Sequence, residues 1–76
     1  MPHINIKCYP KHLSEKEFKS FITDLTGLAE KHLKASEGDI SINYTEVPVE
    51  QWKDEVYDKD IKPNLDRLVK KPGYEM

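Results

Sequence analysis

The chain has 76 residues, one cysteine, and 12 Lys or Arg against 14 Asp or Glu, for a net charge of −2. That length makes one domain with a small core, and the mixed, weakly acidic charge gives no general electrostatic reason to bind nucleic acid or anionic lipid. A single cysteine excludes an intramolecular disulfide, the three histidines have no cysteine partners at zinc spacing, and no apolar run is long enough for a membrane span or a signal peptide.

In chain order, the first element is a strand over residues 3–8. Ile4, Ile6 and Cys8 alternate with His3, Asn5 and Lys7, and the apolar side makes Cys8 a core thiol. Pro10 ends the strand because it has no N–H for a ladder. Ser14, with Glu17 three residues on, forms a capping box. Phe18, Phe21, Ile22, Leu25, Leu28, Ala29 and Leu33 recur at helical spacing, which predicts a helix over residues 14–34 with one apolar stripe. Lys31, His32 and Lys34 suit the negative end of its dipole, and Gly38 belongs to its exit.

A second strand is predicted over residues 39–47, where Ile40, Ile42 and Tyr44 alternate with Ser41, Asn43 and Thr45. Strand, helix and strand make a β-α-β unit with a parallel two-stranded sheet. The C-terminal third reads as an interrupted helix. Its first piece carries Trp52, Val56 and Tyr57; a second is capped by Asp60, has Pro63 in its first turn, and uses Ile61, Leu65, Leu68 and Val69 as its apolar side before Pro72-Gly73 stops it. The expected fold is therefore α/β (α+β), one domain over residues 1–76. Two parallel strands leave sheet uncovered, and a chain this small without disulfide or metal turns to self-association, so a homodimer that completes the sheet is expected.

The opening PHINIKCYP, the Ile40-Ser41-Ile42 strand, Trp52 and the ending KKPGY together resemble the 4-oxalocrotonate tautomerase family, in its small dimeric PptA-type subgroup. The resemblance runs almost from end to end. It implies a cytoplasmic, cofactor-free isomerase that interconverts keto and enol forms of small 2-keto acids such as phenylpyruvate. It also implies that Pro2, exposed as the N-terminal residue once Met1 is removed, is the general base. The chemistry suits the residue. An α-amino group titrates near ~8, and burial in an apolar pocket lowers that value toward working pH.

The family's archetype holds a dicarboxylate with two arginines and adds a pocket aromatic. Here Lys11 or His12 falls where the first arginine is expected, Ser41 falls where the second is expected, and Trp52 falls near the aromatic. The one arginine, Arg67, lies far along the C-terminal helix. Trp52 and Lys11 are thus the candidate substrate-binding residues beside catalytic Pro2. Two other functions fit the same frame. A hydratase or dehalogenase of the superfamily would use a protonated proline as acid, and a non-catalytic binding dimer would keep Met1.

Overall fold

A computed structural model describes all 76 residues. The chain divides into two compact units, Met1–Ile6 with Lys11–Thr45, and Lys7–Pro10 with Glu46–Met76. The division falls within both strands.

Strand β1 is His3–Cys8 and strand β2 is Ser41–Glu46, and the two form a parallel two-stranded sheet. The hydrogen bonds show the direction. Ser41 N–H donates to the Pro2 carbonyl at 3.2 Å and Val47 N–H to the Cys8 carbonyl at 2.8 Å, so the offset between partners stays constant along the pair. Side chains repeat it on the polar face. His3 Nδ1 lies 2.7 Å from Ser41 Oγ, and Asn43 Nδ2 donates to Asn5 Oδ1 at 3.0 Å. β2 is shorter than the alternation predicts, because Asp39 ends a 3₁₀ turn over Glu37–Asp39 whose bonds, Asp39 N–H to Ser36 O and Ile40 N–H to Glu37 O, take those backbone groups out of the ladder.

Helix α1 is Glu15–Leu33. Its capping box forms as the sequence predicts: Ser14 Oγ accepts from Glu17 N–H at 3.0 Å and Glu17 Oε1 accepts from Ser14 N–H at 2.9 Å. The left-handed residue at its end is Lys34 (φ 54°) rather than Gly38, so the exit comes earlier than the glycine suggests. In this unit the edges of Phe18 and Phe21 meet the Tyr44 ring, with centroids at 4.9 and 6.4 Å. Ala29 is buried, and Phe18, Ile22 and Leu25 are half-buried along with Ile4, Ile6 and Ile42. The predicted stripe is only partly covered: Leu28 is 54% and Leu33 61% exposed.

The second unit departs most from expectation. After Val47 and Pro48, a 3₁₀ turn over Val49–Gln51 leads through Trp52 into a wide helix, Lys53–Ile61, with i→i+5 hydrogen bonds, and then into a 3₁₀ stretch, Lys62–Arg67. Asp60 does not cap a new helix. It lies inside the wide one, and its carboxylate meets Lys7 Nζ at 2.7 Å. The interruption is a change of hydrogen-bond register. The last wide bond runs from Lys62 N–H to the Tyr57 carbonyl. The next donor would be Pro63, which has none, so the chain tightens there. Asn64 Nδ2 then donates to the Asp60 carbonyl at 3.1 Å, and Arg67 donates to Asn64 Oδ1 at 2.6 Å. Helical structure ends at Arg67. Leu68 is extended and Val69 is fully exposed, so neither belongs to an apolar helix side. Val56 and Tyr57 are buried, Tyr57 at 2% exposure.

Candidate active site

Pro2 stands immediately before β1 and is half-buried, while Met1 is fully exposed. The Ser41 N–H on the Pro2 carbonyl fixes the residue's backbone. Pro2 lines a hollow of about 400 Å³ with Leu33, Lys34, Ala35 and Ser36 from the end of α1, and with Asp39. The surroundings in this unit are therefore more polar than the apolar pocket expected from sequence.

Ser41 makes two contacts at this end of the sheet. Its N–H holds Pro2 and its hydroxyl meets the His3 ring. It stands at the position expected for an arginine, and its role here is to order the strand end. Lys11 sits on the exposed connection before α1, next to His12, which takes a left-handed conformation (φ 53°); neither lines the Pro2 hollow. Arg67 is engaged with Asn64.

Trp52 belongs to the second unit. The Tyr9 ring meets its indole edge-on at 5.1 Å and 81°, and its Nε1–H donates to the Tyr74 hydroxyl at 3.0 Å. A hollow of about 510 Å³ is lined here by Lys7, Cys8, Tyr9, Trp52 and the last residues, Tyr74 to Met76. Cys8 is half-buried at this wall rather than a fully buried core thiol. Tyr9, Tyr74 and Lys7 are the residues that sequence reasoning missed. Tyr74 lay inside the KKPGY ending but carried no spacing that linked it to an indole 22 residues away.

Two side chains have displaced titration. The Ser14 backbone N–H, then its hydroxyl, holds Glu17 below the ordinary carboxylate range. Hydrogen bonding to Asp58, then its charge, raises Lys53. That pair is five residues apart, the spacing that a wide helix brings onto one face.

No family model matches the chain. Individual relatives match it along its length. The Tautomerase PptA of Pectobacterium carotovorum subsp. carotovorum is 49% identical over 74 residues, 97% of each chain. That of Pectobacterium atrosepticum is 50% identical over 74 residues, again 97% of each. That of Cronobacter sakazakii is 46% identical over 76 residues, the whole of both. The chain belongs to the tautomerase family, in its PptA-type group. Membership makes it an isomerase whose substrate is a small molecule. No helix of this tautomerase is long and apolar enough to cross a membrane.

Proposed function

We propose that this chain is a cytoplasmic keto–enol tautomerase of small 2-keto acids, and that the amine of Pro2, freed by removal of Met1, is its general base. The observation that carries the reading is the placement of Pro2. It is the second residue, with its carbonyl held by the Ser41 N–H and its neighbour Met1 fully exposed. A secondary amine there has a basic lone pair, whereas the lone pair of the Met1–Pro2 amide nitrogen is delocalised into the carbonyl and takes no proton. The amine takes a proton from the carbon beside the substrate carbonyl, the electron pair moves to oxygen, and the ammonium returns the proton to that oxygen as the enol forms; the reverse sequence gives the ketone.

Substrate choice follows from the cations. The one arginine, Arg67, gives an N–H to Asn64 and lines neither hollow, so neither offers a guanidinium fork to a dicarboxylate. The family resemblance assigns Trp52 as the apolar wall and Lys11 as the charge for one carboxylate; Trp52 lines the hollow of its own unit, and Lys11 lines neither hollow. Burying a phenyl-sized group is worth roughly 2–3 kcal/mol, so aryl-pyruvate enols are the preferred substrates. Hydratase and dehalogenase chemistry, which wants arginines at the carboxylate, is less well served by the same residues.

We further propose that the single domain works as a homodimer. In the first unit only Ala29 is buried, and Phe21, Leu28 and Leu33 are exposed, so a second copy has apolar surface to cover. A monomer in sedimentation at micromolar concentration would contradict this.

The decisive experiment pairs intact mass with turnover. The active protein is expected to lack the mass of Met1, and a form with a blocked N-terminus is expected to lose nearly all conversion of phenylenolpyruvate. Retained Met1 in a fully active protein, or unchanged turnover in the blocked form, refutes the assignment of Pro2.

A further inference from the structure

Beyond Arg67 the chain leaves helical structure and returns to the indole. Tyr74 is 46% exposed, yet two contacts hold it. Its hydroxyl accepts the Trp52 indole N–H at 3.0 Å, and its ring lies 5.8 Å from that of Tyr57 at 39°. Tyr57 is 2% exposed and so gives Tyr74 a fixed backing. Tyr9 meets the same indole edge-on. The Trp52 side chain is thus oriented by one ring contact and one directional bond, and it cannot turn without breaking the second.

The hollow beside it, about 510 Å³, falls within the ~300–1,000 Å³ usual for small-molecule sites. Its walls are aromatic. Among its lining residues Lys7 is the one cation, tethered to Asp60, and Glu75 is an anion. With Lys7 already paired to Asp60 and Glu75 adding a negative charge, the hollow has no surplus positive charge, and its aromatic walls suit the aryl end of a ligand that carries no more than one carboxylate. It disfavours a dianion.

We infer that Tyr74 is a positioning residue for aryl selectivity: by accepting the indole N–H it fixes Trp52 as one wall of a site for the aryl end of an aromatic monocarboxylate. This rests on the proposed function only in taking Trp52 as the wall against which the substrate's aryl end packs. Tyr74 acts through Trp52, so its loss changes which ligands are held.

The chain has one tryptophan, so its fluorescence reports on Trp52 alone. The probe is 3-phenylpropionate, which has no keto group to enolise, with succinate as the dicarboxylate control. The full-length protein is expected to show saturable quenching by 3-phenylpropionate and none by succinate. Tyr74→Phe keeps the ring against Tyr57 and removes the acceptor. It is expected to shift the emission to longer wavelength and to weaken 3-phenylpropionate binding about five- to tenfold, the effect of one lost hydrogen bond, with the thermal midpoint nearly unmoved. Equal affinity and equal emission in Tyr74→Phe overturn the role of Tyr74 and leave Pro2 chemistry untouched. Absence of saturable quenching in the unaltered protein overturns the site itself. Pro2 is tested separately by the blocked N-terminus, which does not involve this bond. If Tyr74→Phe does not fold, the single indole N–H resonance of the unaltered protein decides: protection from exchange on adding 3-phenylpropionate supports the inference, and an unmoved resonance at saturating probe overturns it.

Discussion

Helix α1 and the helical stretch from Val49 to Arg67 are equally long, and they are held in opposite ways. α1 carries its own instructions: a reciprocal cap at Ser14 and Glu17, acidic residues in the first turn, Lys31 and His32 in the last. It buries little, with Ala29 its one buried residue. The C-terminal stretch has no side-chain cap on any of its three segments and changes hydrogen-bond register twice, yet it contributes Val56 and Tyr57, two of the four buried apolar residues of the chain. The first helix forms from local rules and lends its surface. The second takes whatever local geometry lets its buried side chains pack, and wide and tight turns are the result.

The contrast breaks most readily at Tyr57. Tyr57→Ala removes the most buried ring and the backing of Tyr74, and about 3–5 kcal/mol of stability is expected to be lost, read as a lower midpoint in denaturant. A loss under 1 kcal/mol would mean that packing does not hold the wide helix. At α1 the matching change is Ser14→Ala, expected to cost about 1 kcal/mol, with far-UV circular dichroism tracking loss at the helix start.

The smallest effect sharpens the comparison through pH. Glu17 is depressed by its hydrogen bonds to Ser14, so its contribution is present above the ordinary carboxylate range and disappears as pH falls through its lowered native value. In an acid titration from neutral pH, the thermal midpoint of the unaltered protein should therefore fall further than that of Glu17→Gln, which has no charge to lose at the cap. Parallel acid limbs would remove the capping box from the account of α1.

Legibility followed the same divide. The bounds of β1, the Ser14 cap and the end of α1 near Leu33 were readable because each depends on residues within a few positions of one another. The offset of β2 was less so, since the 3₁₀ turn at Glu37–Asp39 competes for its first residues. In the C-terminal third the helical content was readable and the register was not. Pro63 marks where geometry changes, but the sequence does not say whether the preceding turns are wide or normal. The capping role expected of Asp60 failed because the wide helix runs through it to Ile61, and its carboxylate meets Lys7, 53 residues away. Pro2 and Trp52 were singled out through the family resemblance, and each lines a hollow within its own unit. Tyr74 was not, because a hydroxyl that accepts from an indole leaves no periodic trace.

The paired polar side chains on the sheet have a consequence for the order of assembly. Partners His3 and Ser41 are 38 positions apart, as are Asn5 and Asn43. Closing a loop of that size costs roughly 3 kcal/mol beyond a constant. The capped α1, about 28 Å of rod at 1.5 Å per residue, can form first and shorten the floppy part of that loop. The late step is then strand docking, and the polar ladder acts as its checkpoint. A slip of one residue turns Ser41 and Asn43 to the wrong face. A slip of two that sets Asn5 opposite Thr45 breaks the amide–amide bond. Only the native alignment satisfies both pairs, which favours that register over its neighbours.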